Sequence, residues 1–292
     1  MSARLIRSRL APAVKPTGPA ATPCSLAVSP VYPHSTALGG LSVGRVTLDL
    51  RKGFHEPQEK PRRFYKAVTV VEVDGGHGIR LDGRTLKTPR AALLILPTRA
   101  VADQIAAEWD AQTDVIEMAT MHATRLANTA IETIGGSRQG VADQIADYAA
   151  SDLVCYFAEA PAVLLARQEA AWEPVLARAE AEEGLRFERC VGIVHRPQPP
   201  ESLTRVREIA LGLDDFALAG LAFAVPLYGS AVLSIAVLRG WTSGGEAFDL
   251  SRVDEAFQED QWGIDAEAAE RVARLRIEAE MLDRWFRGLV VG

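Results

Sequence analysis

The stretch from Phe216 to Leu238 carries no charged side chain and is apolar on every side of a helix. Such a segment must be buried, either in lipid or in the middle of a helical domain. Pro226 removes a backbone donor and Gly229 permits a chain reversal, so the pattern predicts two short helices joined at Pro-Leu-Tyr-Gly. Each half is too short for a bilayer core, which needs about 20 helical residues. The pattern therefore favours a buried helical hairpin over a membrane span.

Alternating apolar residues predict a small sheet that begins near Arg62. Residues 64–73 alternate and are rich in β-branched types, which is typical of a strand. Residues 79–81 resume extended pairing, and Asp82-Gly83 predicts a hairpin turn because both positions tolerate positive φ. Residues 84–88 then form the return strand, and residues 92–96 form a fourth short one. A sheet this small cannot bury both faces alone, so one face needs a helix against it.

That helix is predicted directly after the sheet. Thr98 is suited to the N-cap position, and Val101, Ile105 and Trp109 follow on one side at intervals of four. A tryptophan at this spacing is usually a core residue. Trp109 is therefore expected to pack on the sheet as a structural residue.

The rest of the chain reads as helices. The pattern predicts helices over residues 120–134, 138–157, 161–183, 202–211, 247–261 and 265–289, in addition to the apolar hairpin. Gly135-Gly136 is expected to separate the first two, with Ser137 capping the second. The predicted fold class is α+β, a small N-terminal β-meander/α two-layer domain followed by a mainly α-helical C-terminal domain. The predicted divisions are a disordered basic arm over 1–60, the sheet domain over 61–134 and the helical domain over 135–292.

One acid interrupts the apolar stripe of the helix predicted over residues 138–157. Asp152 falls in the same stripe as Val141, so its carboxyl must be hydrogen-bonded, paired or protonated. A neighbouring helix end or an arginine would satisfy it. Arg125 is the expected partner, which makes Asp152 a structural residue.

Charge and cysteine content indicate the compartment of the protein and argue against one class of partner. The net charge of −6 argues against nucleic-acid binding, and three dispersed cysteines indicate a reducing compartment. Residues 1–48 contain five bases and no acid, which resembles a mitochondrial transit peptide. Only five of the 32 lysines and arginines are lysine, which suggests a GC-rich coding sequence and a bacterial owner. The bacterial cytoplasm is the expected location, or the mitochondrial matrix if the arm is a transit peptide.

No motif for catalysis or cofactor binding is visible. The chain has no Walker A loop, no GxGxxG after a strand, no GxSxG elbow and no HExxH, and its histidines are isolated. No cofactor, metal site or catalytic residue is expected. The alternative is a soluble enzyme, a hydrolase or transferase with an unrecognised site in the helical domain, which would bring His122 and Asp152 together.

Seven spaced segments carry a resemblance to a known family. The segments are RRFYKAVTV (62–70), LDGRTLKTP (81–89), EWDAQ (108–112), TMHATRLANTAI (120–131), SDLVCYF (151–157), QEAAWEP (168–174) and EAFQEDQWG (255–263). Together they resemble the assembly chaperones of the F-type ATP synthase catalytic head that handle the α subunit. Two features depart from the family pattern: the arm before Arg62 has no counterpart, and Phe157 stands where arginine is frequent.

The resemblance implies a function without turnover. Members of this family bind newly made α subunits and prevent their misassembly until they meet β. By this resemblance the chain is expected to be a soluble monomer with the ATP synthase α subunit as its partner. Nucleic-acid binding, stable membrane insertion and cofactors are not expected.

Helical periodicity also places a candidate partner-binding acid. Leu250, Val253 and Phe257 cluster on one side of the helix predicted over 247–261, whereas Glu255 points the opposite way. The family resemblance implies that the acid matching Glu255, three residues before Gln258, matters for partner binding. Trp262 and Gly263 are expected to fix the end of this helix and how it packs.

Overall fold

The structure is a computed structural model that describes residues 60–192 and 194–290. Nearly all of the predicted basic arm, residues 1–59, lies outside the described residues. Among the described helices, none has the length and apolar content that crossing a membrane requires.

The small predicted sheet is present, with one departure from a simple meander. Strand β1, Val68–Val73, pairs antiparallel with β2, Gly76–Leu81, which pairs in turn with β3, Arg84–Thr85. Asp82 and Gly83 have φ values of 45° and 81°, as the predicted hairpin turn requires. Strand β4, Ile95–Leu96, does not follow β3 but returns to β2, on the same side as β3.

Helix α1, Arg99–Asp110, covers one face of the sheet and confirms the prediction for this segment. The Thr98 side chain accepts a hydrogen bond from the backbone N–H of Val101 at 3.2 Å, so it is the N-cap. Trp109 is only 8% exposed. Its ring lies 5.7 Å from that of Tyr65, and the Tyr65 hydroxyl donates to the Trp109 carbonyl at 2.7 Å. Trp109 therefore packs between helix and sheet, in the position that the sequence predicted.

Helices make up most of the rest of the described chain. In order, the elements are α2 (His122–Thr129), a π-helical turn (Ala130–Ile134), α3 (Gly135–Ala149), β5 (Tyr156–Phe157), α4 (Ala162–Glu183), β6 (Cys190–Val191), α5 (Pro200–Leu211), α6 (Asp215–Tyr228), α7 (Ala231–Leu238), α8 (Gly244–Leu250), α9 (Val253–Trp262) and α10 (Ala266–Val290). Strands β5 and β6 form a separate parallel pair. The α+β class is confirmed.

The apolar stretch forms the predicted buried hairpin, α6 and α7. The chain reverses at Gly229, whose φ of 64° lies in the left-handed region that glycine adopts without strain. Helix α6 continues through Pro226 to Tyr228, so the reversal falls at the last residue of the predicted Pro-Leu-Tyr-Gly junction. Asp214 caps α6 by accepting from the N–H of Phe216 and Ala217, at 2.8 and 2.9 Å. The hairpin is thus delimited by caps and a left-handed glycine rather than by its proline.

The predicted break at Gly135-Gly136 is wrong, because the helix continues through both residues. A side chain at Gly135 would place its Cβ 3.3 Å from the Asp215 carboxylate at the start of α6. Arg138 of α3 pairs with Asp215 and donates to the Leu213 carbonyl at 2.5 Å. The glycine therefore permits a close approach between two helices, and these contacts outweigh its poor helix propensity.

The prediction of one continuous helix over residues 247–261 is also wrong, because the chain forms two helices there, α8 and α9. The Ser251 hydroxyl donates to the Phe248 carbonyl at 2.8 Å, a local bond that competes with the helical pattern. Gly244 and Gly245 lie in the first turn of α8, which Ser243 caps. Gly244 must be glycine, because a Cβ there would lie 1.9 Å from the Ala279 carbonyl oxygen of α10.

Buried side chains from Tyr65 to Phe286 form one hydrophobic cluster that includes residues of the sheet segment and of the helices. The division between residues 134 and 135 stays a prediction. Helix α9 contributes no buried residue to this core.

Candidate functional site

Helix α9 is held to the body through α4 by polar and aromatic contacts. The Gln168 amide of α4 donates to the Asp254 carboxylate at 2.6 Å, and Arg167 pairs with Asp260 at 2.6 Å. The Arg167 guanidinium also lies over the Phe257 ring, 5.2 Å from its centroid. Burial raises the pKa of Asp254, while the bond from Gln168 opposes that shift. These contacts fix which side of α9 faces the protein and which faces outward.

The outward side of α9 carries three exposed side chains in line. Glu255, Gln258 and Trp262 are all exposed and follow at intervals of three and four, so they share one face. We call these three residues the α9 outer stripe. The outward direction of Glu255 is the one that periodicity predicted. Its role in partner binding stays a prediction.

Trp262 differs from its predicted role. It is 80% exposed, so the expectation that it packs at the helix end is wrong. Gly263 does end α9, with a φ of 80° and its N–H donating to the Glu259 carbonyl at 2.8 Å. The periodicity contained the signal for Trp262, since it lies two turns after Glu255. The prediction of a packing role followed from residue type, because large aromatic side chains are usually buried.

The surroundings of the stripe are acidic. Residues 254–270 contain seven acids and no base. Some of these acids are paired with arginines of the body, as Asp260 is with Arg167 and Glu259 with Arg252. Glu255 forms no ion pair within the described residues, so its charge is directed to solvent. The stripe therefore offers an aromatic surface beside uncompensated negative charge.

Asp152 is fully buried, but its partner is not the one expected. It lies before the short 3-10 turn Leu153–Cys155 rather than on a helix. Its carboxylate accepts from the backbone N–H of Val232 at 3.0 Å and of Val154 at 3.3 Å. Val232 lies in the first turn of α7, where N–H groups have no partner within the helix. The carboxylate is thus satisfied by a helix end, one of the two possibilities that the sequence left open.

The predicted pairing of Asp152 with Arg125 is wrong. The Arg125 guanidinium donates to the Ala119 carbonyl at 3.5 Å, within its own segment. Burial raises the pKa of the Asp152 carboxyl to about 6, against hydrogen bonds from the Ser230 hydroxyl and backbone N–H groups that lower it. Asp152 acts as a structural link between the chain after α3 and the start of α7.

A second acid with backbone hydrogen bonds, the half-buried Glu108, was missed by sequence reasoning. It precedes Trp109 in α1, and its carboxylate accepts from the N–H groups of Ala123 and Thr124 at 2.7 and 2.8 Å. These N–H groups belong to the first turn of α2, so Glu108 joins α1 to α2. Burial raises the pKa of Glu108, while these bonds oppose the shift. Glu108 and Trp109 of the EWDAQ motif therefore both make contacts within the fold.

The groups proposed for an enzyme do not form a joint site. His122 lies 3.9 Å from the Glu278 carboxylate of α10, whereas Asp152 is engaged by α7. Among the residues that the structure describes, no three His, Cys, Asp or Glu side chains are placed to hold a metal ion. A cleft of about 460 Å³ lies at the start of the described chain, lined by Arg62, Arg63, Tyr65, Thr113, Asp114 and Val115. Arg63 is already occupied there, since its guanidinium donates to the Asp110 carbonyl at 2.9 Å.

Most of the chain is similar to known proteins. The model of a family described as ATP12 chaperone protein matches residues 62–180. The protein atp12, mitochondrial, of Schizosaccharomyces pombe is 25% identical over 219 residues, which cover 71% of this chain and 75% of that protein.

Solved structures are similar to this chain over a larger share of its length. Atp12 from Paracoccus denitrificans is 37% identical with a TM-score of 0.73, and the match covers 78% of this chain and 98% of that one. The Atu1473 protein from Agrobacterium tumefaciens is 40% identical with a TM-score of 0.75, covering 78% of this chain and 86% of that one. The similarity therefore extends well beyond the segment that the family model matches.

Proposed function

Since this chain belongs to the ATP12 family of F1 assembly chaperones, we propose that it binds the newly made α subunit of the ATP synthase. On this proposal it holds the α subunit until β replaces it, acts as a monomer and carries out no turnover. An unassembled subunit exposes surfaces that normally meet its neighbours, and such surfaces associate wrongly. A chaperone that covers them prevents this by mass action.

The main support for the proposal is the exposed Trp262, which lies on the same face of α9 as Glu255. Large aromatic side chains are enriched among the residues that contribute most to protein interfaces. Because Trp262 is 80% exposed, its side chain contributes little to the stability of the fold. Its apolar area is therefore available to a partner. Glu255 beside it adds a charge that orients the partner and speeds encounter. We assign the α9 outer stripe as the client-binding surface.

Binding must be reversible, because the client has to move on to β. One exposed aromatic residue within a polar, charged surface suits a moderate affinity better than a wide apolar patch would. The contacts of α9 with α4 keep the stripe in one orientation, so little ordering is needed when the client binds.

The test is a kinetic binding measurement between the purified chain and α subunit synthesised without β. Trp262→Ala should weaken binding about tenfold or more, mainly through faster dissociation. Glu255→Lys should slow association and reduce its dependence on salt.

Two variants serve as matched controls. Phe64→Ala removes another aromatic side chain, one that is 62% exposed. Asp147→Lys reverses an exposed acid on α3. Both should bind the α subunit as the unchanged chain does. Equal binding by the α9 variants, or equal losses in the controls, would overturn the assignment.

A further inference from the structure

The sheet has one covered face and one open face. Ile79 and Leu81 of β2 are buried on the side of α1, and Val68 and Val70 of β1 pack on the same core. Side chains alternate along a strand, so the residues between these point to the opposite side. The apolar side chains on that opposite side belong to no part of the described hydrophobic core; they are Val71, Val73, Leu93 and Ile95.

Strand register brings two cations onto the open side. Arg80 lies opposite Thr69 on one neighbour and Thr85 on the other, and Lys87 lies opposite Leu93. We define the outer sheet face by its four apolar and two cationic residues. They are Val71, Val73, Leu93, Ile95, Arg80 and Lys87.

Close contacts support this arrangement. A Cβ added at Gly78 would lie 3.4 Å from the Val73 side chain and 3.8 Å from the Val71 side chain. Both valine side chains therefore lie beside the glycine on this side of the sheet. A Cβ added at Gly76 would lie 3.3 Å from the Ile95 side chain. Leu93 is 52% exposed. The face therefore combines the exposed Leu93 with three half-buried apolar side chains along its middle.

Among the residues that the structure describes, the cations of this face have no anionic partner. Arg80 and Lys87 are exposed and form no ion pair within the described residues, and the same holds for Arg84 at the adjacent turn. The nearest acid in sequence, Asp82, directs its carboxylate to the backbone N–H groups of Lys66 and Ala67, at 3.0 and 2.8 Å. The positive charge on the face is thus left uncompensated.

Charge is divided between the sheet segment and the helices. Residues 60–100 contain nine bases and three acids, whereas residues 101–292 contain sixteen bases and thirty-two acids. Charges farther apart than about 8 Å are largely screened at physiological salt. An anionic surface that approaches the sheet is therefore attracted locally, despite the net negative charge of the chain.

We infer that the outer sheet face docks reversibly on the surface of an anionic lipid bilayer. Arg80 and Lys87 would contact the lipid phosphates, and Leu93 and the valines would contact the acyl boundary. Basic residues near an anionic membrane each strengthen binding several-fold, and exposed apolar side chains add to this. Docking of this kind uses a different surface from client binding on α9.

The size and composition of the face favour a bilayer over other anionic partners. The two six-residue strands β1 and β2, with the short strands β3 and β4 beside β2, span roughly 300 Å². This area is well below the ~800 Å² per partner of a stable protein interface. Proteins that bind single-stranded nucleic acids stack bases on aromatic side chains. The described outer sheet face has no aromatic side chain, and its leucine and valines have no counterpart on a phosphate backbone.

The test is co-sedimentation of the full chain with vesicles of phosphatidylcholine, with and without phosphatidylglycerol. The chain should sediment only with the anionic vesicles, and added salt should release it. The double variant Arg80→Glu, Lys87→Glu should lower the partition coefficient about tenfold or more. Leu93→Ser should lower it several-fold at unchanged charge.

A charge-matched control separates a local surface from net charge. Arg271→Glu, Arg274→Glu makes the same change in charge at two exposed positions of α10 and should leave partitioning unchanged. Equal losses in both double variants, sedimentation with neutral vesicles, or binding to a single-stranded RNA without binding to anionic vesicles would overturn the inference. Capture of the α subunit, measured without vesicles, should be normal in Arg80→Glu, Lys87→Glu. That readout reports on the proposed function separately.

Discussion

Asp152 shows how a single side chain links distant parts of this chain. Its carboxylate replaces the missing helical partner of the Val232 N–H, which lies 80 positions away in sequence. Burial of this acid without such donors would cost several kcal/mol. The residue is therefore structural, and its protonation is coupled to folding.

The raised pKa of Asp152 predicts a specific pH dependence of stability. In the folded chain this pKa is about 6, above the value of 3.8 for an exposed aspartate. The group therefore contributes stability that is fully present below about pH 4 and is lost as pH rises through about 6. The total loss is about 3 kcal/mol. Urea unfolding at several pH values should show that the advantage of the unchanged chain over Asp152→Asn shrinks by most of this amount between pH 4 and pH 7.

Two further variants act as controls for this prediction. Asp147→Asn removes an exposed acid and should leave the pH profile of stability unchanged. Arg125→Ala should add its own effect to that of Asp152→Asn without coupling, because the two side chains serve different carbonyl and N–H groups. Parallel pH profiles for the unchanged chain and Asp152→Asn would contradict the account of this residue.

At the scale of elements, glycines determine how closely helices pack. Gly244 in the first turn of α8 lies against the backbone of α10, and Gly135 lies against the start of α6. Neither has a positive φ, so conformational freedom is not the reason for glycine at these sites. Lack of a side chain is the reason, because a Cβ would enter the neighbouring helix.

Gly244→Ala and Gly245→Ala form a matched pair for this idea. The Cβ at position 244 would lie 1.9 Å from the Ala279 carbonyl oxygen, whereas at position 245 the nearest atom is Arg276 Nη1 at 3.6 Å. Gly244→Ala should lower the free energy of unfolding by about 2 kcal/mol or more. Gly245→Ala should be neutral or stabilising by about 0.5 kcal/mol. Equal stabilities in urea unfolding would contradict the account of the α8 and α10 contact.

Elements defined by local chemistry were predictable from sequence. The Asp82-Gly83 turn, the Thr98 cap and the apolar hairpin α6 and α7 depend on residues adjacent in the chain. The continuous helix through Gly135 was not predictable, since it depends on Asp215 in a distant segment. The same holds for the return of β4 to β2, which tertiary pairing decides.

The candidate site was predictable in part for similar reasons. Periodicity gave the outward direction of Glu255 because it needs only the phase of one helix. It could have given Trp262 as well, but the usual burial of tryptophan suggested a packing role. The partner of Asp152 could not be found, because a backbone N–H at a helix start has no signature in residue type.

At the scale of the whole molecule, two surfaces of opposite charge serve two proposed partners. The α9 outer stripe lies in an acidic segment, and the outer sheet face lies in the basic one. The hydrophobic core is built from apolar residues that take no part in either surface. Variants on one surface should therefore leave the other partner unaffected.

The proposed role of this chain is to hold the ATP synthase α subunit before α joins β. The decisive experiment is affinity capture of the tagged chain from its native cell, with quantification of the bound ATP synthase subunits. The captured material should contain α subunit in clear excess over β, and this α subunit should be lost when Trp262→Ala is the tagged form. Absence of α, or recovery of α and β in equal amounts, would contradict it.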